Sequence, residues 1–553
     1  MKIFSIIFLI ICALYVEAQT QTYKYWIKFT DKTNTPYSID SPEQFLSQRA
    51  IERRNKYNIS IDSLDLPVDP EYIDSLRSYG LKVLNVSKWM NSVTVETTDS
   101  LLVDTIELLG FVSKKQKVYS ANAKNATNAY LLKDNTSPVF TKTDDIKTLY
   151  DYGLGTAQIG MLNGHILHNN GFQGQGMHIA VIDAGFQNSN VNSAFDSLWA
   201  DNRVLGTRDF VNPNSDIFSE HSHGNAVLSI MAAYLPGELI GTAPKASYWL
   251  LRSEDVTSES LVEEDNWISA AEFADSAGVD LINTSLGYNT FDDSTMDHKY
   301  SDLDGNTTRI SRAVDIASSK GILVVVSAGN SGNQQWHYIG VPADADSCIT
   351  VGSVDGFLNY SDFSSTGPTA DGRVKPDVVA LGSKTVHQTA YGDISVGNGT
   401  SFSAPIICGL AACLWQANPN LTNMEIIDYI RKSASQYNNP DSLLGYGIPD
   451  FAKAYFMIQG IDYDDYNTET YISAYPNPFS DKIYIDLYSV DSQYVHLFLI
   501  DMVGKIVVEK SYNLKMTSYN RINIDGLEKL NNGAYILKIQ TKENTYQKQI
   551  LKN

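Results

Sequence analysis

Cysteine is scarce in this sequence. Four of its 553 residues are Cys, and one of these, Cys12, falls in an N-terminal apolar run. Cys348, Cys408 and Cys413 remain, an odd number and too sparse for the disulfide framework of a small secreted module. Cys408 and Cys413 lie in APIICGLAACLW (404–415) and are expected as buried thiols. No Cys/His cluster has metal-ligand spacing. Basic residues are few as well: 42 Lys plus Arg against 63 Asp plus Glu leave a net charge of −21. A phosphate-backbone binder needs a basic face, so no nucleic-acid partner is expected. Charged residues make up 19% and apolar ones 43%, which excludes a mostly disordered chain. No internal repeat is evident.

Long apolar runs are also rare. The first is IFSIIFLIICALYV (3–16), preceded by Lys2 and followed by Glu17 and Ala18. This reads as a secretory signal over 1–18, cut after Ala18. It is shorter than the roughly 20 residues a membrane span needs. No later stretch has the length and apolar character of a span. An exported chain without a transmembrane segment after signal cleavage is expected, secreted or held at the outer cell surface after crossing the periplasm.

Four further segments follow. Residues 19–120 mix strand-like YKYWIKFTD (23–31) and LKVLNVSKWMNSVTVETT (81–98) with helix-like SPEQFLSQRAIERRNKY (41–57), PEYIDSLRSYG (70–80) and DSLLVDTIELLG (99–110), an α+β domain. Residues 121–147 are rich in Asn, Thr, Asp and Ser and read as an exposed linker. Over 148–460, short apolar runs such as HIAVIDAG (178–185), GVDLINTSLG (278–287) and GILVVVSAGN (321–330) alternate with helical stretches. That alternation predicts an α/β domain with a doubly wound, mostly parallel sheet covered on both faces. Residues 470–553 carry short alternating strands with turns between them, the pattern of a small β-sandwich.

In an open α/β sheet, functional groups gather at the carboxyl ends of the strands. Asp183 ends the strand IAVID, His223 opens a helix within HSHGNAV, and Ser401 opens a long apolar helix within NGTSFSAP. A serine hydroxyl becomes a useful nucleophile when an imidazole takes its proton, and the imidazole needs a carboxylate to fix its tautomer. Asn330, ending VVVSAGN, supplies a side-chain amide for a developing oxyanion. His221 is a rival base and Ser403 a rival nucleophile by residue type. Taken singly, Asp183, His223 and Ser401 are equally read as a strand end, a helix cap and an N-cap. The acidic stretch FDDSTMDHKYSDLDGNTT (291–308), with Asp302 and Asp304, reads either as a solvated loop or as a structural calcium site.

These motifs resemble the subtilisin-like (subtilase) serine peptidases. VIDAG (181–185) matches the family's Asp motif, HGNA (223–226) its His motif, and GTSFSAP (399–405) its Ser motif. KPDVVA (375–380) matches a further family segment. The resemblance implies a catalytic Asp183, His223 and Ser401, an oxyanion Asn330, and peptide binding along Ser285, Leu286 and Gly287. Gly340 aligns with the base of the primary specificity pocket. Protein or peptide substrates are implied, and no cofactor is required for the chemistry, although subtilases often carry structural calcium. Asn225 and Ala226 depart from the motif's Thr and second His, Phe402 replaces Met, and Ser403 replaces Ala. The 19–120 unit resembles the family's inhibitory propeptide. YPNPF (475–479) with the following strands resembles the type IX secretion sorting domain of Bacteroidetes, which implies secretion machinery as a partner. A surface-binding protein without turnover and an esterase using the same triad are the competing readings.

Overall fold

A computed structural model describes residues 21–120, 148–460, 470–489, 493–514, 518–540 and 545–553. The signal segment and the expected linker at 121–147 lie outside the described residues.

The central domain is built on a seven-stranded sheet. Its order runs Val378–Leu381, Cys348–Val354, Leu323–Ser327, Leu281–Thr284, His178–Asp183, Ser247–Arg252, Val204–Asp209. Every pairing in it is parallel. The inner strands read as unbroken apolar runs because helices cover both faces. Side chains alternate along each strand. Ile179 and Val181 therefore join one core cluster, and Ala180 and Ile182 the other. The Thr400–Ala417 helix fills the first of these, buried from Thr400 through Trp415. Contrary to the expectation that no stretch after the N-terminal run has the length and apolar character of a membrane span, this helix, alone among the described residues, has both, and here it is a core helix. Cys348, Cys408 and Cys413 are free and buried.

Two edge features were not expected from the sequence. The strand Val204–Asp209 closes one side of the sheet, and its half-exposed, charged residues give it no apolar run. A hairpin of Thr385–Gln388 and Ile394–Gly397 stands just before the Thr400–Ala417 helix.

The N-terminal domain is a four-stranded antiparallel sheet, ordered Lys82–Ser87, Ser92–Thr97, Tyr23–Phe29, Val112–Ser120. The last strand, VSKKQKVYS, is an edge strand whose lysines hide its alternation. The expected helix at 41–57 is divided. Pro42–Gln44 forms a single 3-10 turn, and the α-helix runs Gln48–Lys56, where Ser47 rather than Ser41 accepts the capping hydrogen bond from Ala50. The C-terminal domain packs a three-stranded sheet against a four-stranded one around Ile483, Ile485, Leu497, Leu499, Leu537 and Ile539.

The N-terminal sheet docks on the Val262–Ala277 helix of the central domain through an apolar cluster, in which Trp26, Trp89, Met90 and Val118 join Leu261, Val262 and Ile268, and through polar contacts around it. Ser87 Oγ donates to Glu272 at 2.6 Å, and the Lys88 and Trp89 amides donate to the same carboxylate. Thr94 Oγ1 donates to Asp265, while Arg309 joins Asp265 to Gln116. A charged cluster closes one end. Arg53 and Arg54 both reach Asp275, at 2.5 and 2.9 Å, and Lys88 approaches it at 3.3 Å. Arg54 also pairs with Asp65, which in turn meets Lys320 at 2.9 Å. All of these side chains are nearly or wholly buried.

Removing one member of such a cluster leaves buried charge uncompensated. Arg54→Ala is expected to weaken docking of the N-terminal domain by about 3–5 kcal/mol. The measurement is release of that domain in gel filtration after the 121–147 segment is nicked by an added protease in an Ser401→Ala background. Stability of the folded chain also depends on pH. Burial pushes Asp265 up to about 6 and raises Glu272. Both bind protons more tightly folded than unfolded, so their contribution is fullest below the ordinary carboxyl range and is lost as pH rises through about 6. Asp275, held low by Lys88, Arg54 and Arg53 against its burial, keeps its pairing throughout that window. These two carboxyls are expected to make the Ser401→Ala chain melt at a higher temperature at pH 5 than at pH 7.5, measured by thermal denaturation.

Candidate active site

Asp183 is the last residue of the His178–Asp183 strand and is fully buried. Its Oδ1 accepts from the Ala184 amide at 2.8 Å and meets His223 Nδ1 at 2.7 Å. His223 is the first residue of the His223–Ala232 helix and is also buried. Gly224 allows this approach. A Cβ there would lie 2.4 Å from the Gly185 carbonyl oxygen and 3.0 Å from Asp183 Cβ. Only glycine lets the helix start sit on the strand end.

The rival histidine has a different position. His221 Nδ1 accepts from the His223 amide at 3.3 Å, so it supports the turn. Its pKa is lowered by burial and by the neighbouring His223.

Ser401 is the second residue of the Thr400–Ala417 helix, one turn end away from free backbone amides. Its Oγ donates to the Ser285 carbonyl at 3.2 Å, and Ser285 Oγ donates to the Ser401 carbonyl at 2.9 Å. Ser401 is thus tied directly to the 285–287 segment. The rival serine, Ser403, is buried, and its Oγ faces Gly382.

Asn330 is oriented by the same helix. Its Oδ1 accepts from the Thr400 amide at 2.9 Å and from Thr400 Oγ1 at 3.1 Å. This fixes which end of the side chain carries the amide group. The Thr400 hydroxyl in turn accepts from the Gly329 amide. Gly340 lies against the next segment: Tyr288 and Val341 exchange backbone hydrogen bonds at 2.8 and 3.0 Å, which brings Gly340 beside the end of Ser285–Gly287.

Asn225 and Ala226 have structural places. Asn225 accepts from Ser189 and Asn192 and donates to the Gln388 carbonyl, holding a loop and the hairpin to the His223 helix. Ala226 packs in the core.

Sequence reasoning missed the charged groups behind Asp183. Arg252 ends the adjacent strand, donates to the Ala184 carbonyl and pairs with Asp209 at 2.9 Å and Glu220 at 3.3 Å. Glu254 is buried, accepts from Tyr288 and Ser253, and is pushed up to about 7 by burial. The signal was available: RSED (252–255) follows a strand at the carboxyl end of the sheet, where such groups collect.

The acidic loop does not assemble a ligand set. Asp302 accepts from the Lys299 amide, and Asp304 accepts from the Asn306 and Thr307 amides and the Thr307 hydroxyl. Both carboxylates are engaged in closing their own turns. Among the described residues no group of three or more His, Cys, Asp or Glu is arranged to hold a metal ion. Asp304→Ala is therefore expected to cost about 1 kcal/mol through the lost turn bonds. The loss should be the same in calcium and in EDTA, measured by thermal denaturation.

Residues 174–447 match the Subtilase family. Residues 24–133 match the peptidase S8 propeptide domain of Bacteroidota, and residues 473–553 match the secretion system C-terminal sorting domain. Subtilisin E of Bacillus subtilis (strain 168) is 29% identical over 336 residues, covering 60% of this chain and 79% of that protein. Subtilisin of Bacillus pumilus is 29% identical over 281 residues, covering 50% and 90%. The crystal structure of MycP1 from Mycobacterium smegmatis aligns at 23% identity and a TM-score of 0.44, over 59% of this chain and 92% of that one.

Proposed function

We propose that this chain, a serine endopeptidase of the subtilase family with a propeptide domain and a secretion sorting tail, cuts peptide bonds through Asp183, His223 and Ser401. The observation that carries the assignment is the buried 2.7 Å contact of Asp183 with His223 at the carboxyl end of the sheet. Ser401 and Asn330 are presented there by one helix start.

The chemistry follows from the placement. Asp183 holds the proton on His223 Nδ1, which leaves Nε2 as the base. His223 takes the Ser401 proton as the hydroxyl leaves the Ser285 carbonyl and attacks the substrate carbonyl. The oxyanion is met by the Asn330 amide and the Ser401 backbone N–H. One such donor contributes roughly 2.7–4 kcal/mol to the transition state. His223 then passes its proton to the leaving amine, and water releases the acyl-enzyme. Ser285, Leu286 and Gly287 pair with an extended peptide, and Gly340 forms the floor of the pocket for its principal side chain. No cofactor is needed in these steps. The protein is made as a pre-pro-protein. The 19–120 unit covers it until the linker is cut, and the C-terminal domain carries it to the export machinery.

Fluorophosphonate labelling of the exported protein tests this. A label on Ser401, lost in Ser401→Ala and kept in Ser403→Ala, is the expected result, with casein cleaved. No label on folded mature protein would bring forward a binding protein without turnover. Labelling with ester but no casein hydrolysis would favour an esterase. Asn330→Ala is expected to lower kcat by roughly 10²–10³ with little change in KM.

A further inference from the structure

Phe402, the residue after Ser401, stands where the family motif has Met. Its side chain is fully buried. The ring lies 6.3 Å from the His223 imidazole at an interplanar angle of 30°, and stacks on His387 at 5.1 Å and 14°. His387 belongs to the hairpin of Thr385–Gln388 and Ile394–Gly397. That hairpin is anchored on the helix of His223, because the Gln388 amide donates to Ser229 and Asn225 donates to the Gln388 carbonyl. Room for the two rings comes from Gly397. A Cβ there would fall 2.4 Å from Phe402 Cε2 and 3.2 Å from His387 Nε2. Three residues from separate turns of chain thus build one aromatic wall beside the imidazole.

We propose that Phe402, backed by His387 and given space by Gly397, is a positioning residue for His223: it fixes the plane of the imidazole from the side opposite to carboxylate control and stabilises the imidazolium formed when Ser401 loses its proton. The inference rests on the triad reading above. A cation near an aromatic face is attracted by the ring quadrupole out to about 6 Å, and more strongly where water is excluded. Both rings are buried, which strengthens the attraction, and their 6.3 Å separation lies just past that distance. Burial, with His223 nearby, lowers the pKa of His387 and so disfavours a competing charge in the wall. The other titratable or charged groups around His223 are Asp183 on its strand, His221 in its own loop, and Arg252 and Glu254 at the end of the adjacent strand. None of these contacts runs through Phe402.

The test compares Phe402→Leu and Gly397→Ala with the parent enzyme, each normalised by fluorophosphonate titration of active sites. Phe402→Leu removes the π face and keeps an apolar side chain. It is expected to lower kcat on the order of 10–30-fold with KM little changed. The acidic limb of kcat/KM should move to lower pH, because the imidazolium loses a stabilising neighbour. Gly397→Ala, which pushes a methyl group onto the ring, should move the limb in the same direction by less. The second readout needs no turnover: histidine NMR titration of the full Ser401→Ala chain, where adding Phe402→Leu should lower the His223 pKa by about half to one pH unit. An unchanged acidic limb and an unchanged His223 titration, or a loss confined to KM, overturn the proposal. If Phe402→Leu does not accumulate as folded protein, the Gly397→Ala limb decides alone. A parent enzyme that takes no label would instead defeat the triad reading itself, so the two failures are distinguishable.

Discussion

Burial of one helix is the constraint on which the rest of this molecule depends. Thr400–Ala417 is apolar on every side and packs inside the larger core cluster, so its position is set by close packing rather than by solvent. Its first turn then acts at the cleft. Thr400 orients Asn330, Ser401 interlocks with Ser285, and Phe402 places a ring beside His223. A core that tolerates only small displacements thereby holds these groups at the cleft in fixed positions. The same rigidity explains why the histidine arrives on a separate helix. Gly224 lets that helix start touch the strand end, and Asn225 ties it to the hairpin.

The interface with the N-terminal domain follows another logic. Inside the central domain, apolar side chains interdigitate. Across the domain boundary, serine, threonine, asparagine and carboxylates exchange hydrogen bonds, and Arg53, Arg54 and Lys88 converge on Asp275. A buried ionic cluster adds little net stability compared with an apolar core of equal size, but it accepts only a partner with matching charges. The boundary is not polar throughout: Trp26, Trp89, Met90 and Val118 share an apolar cluster with Leu261, Val262 and Ile268, so the surface under the domain combines charged groups with apolar side chains.

Much of this was legible beforehand, for identifiable reasons. Asp183, His223, Ser401 and Asn330 stand at strand and helix ends marked by glycine and by apolar runs, so their neighbourhood was encoded locally. Parallel strands such as HIAVID and ILVVVS announced themselves because both faces are covered. Val204–Asp209 and Val112–Ser120 did not, since edge strands spend their outward positions on charge and lose the pattern. The helix start at Ser47 was misplaced because Pro42 imitates a first helical turn. Arg53 and Arg54 give no sign of burial in the sequence; their partner Asp275 lies more than 200 residues along the chain, and no local signal reports such a pairing. For Asp302 and Asp304 the sequence left a solvated loop and a calcium site both open, and in the structure their oxygens accept from nearby amides.

The covalent link between the N-terminal and central domains gives the charged interface a further property. While the chain is continuous, docking is intramolecular, which raises the effective concentration of the domain at its surface. Cutting the chain leaves every contact in place but makes docking bimolecular. Its occupancy is then set by how much protein surrounds it. In a confined compartment the cut domain stays on its surface, and in an open medium dilution removes it. On the proposed reading, the place to which the protein is delivered therefore also sets how long the cut domain remains bound.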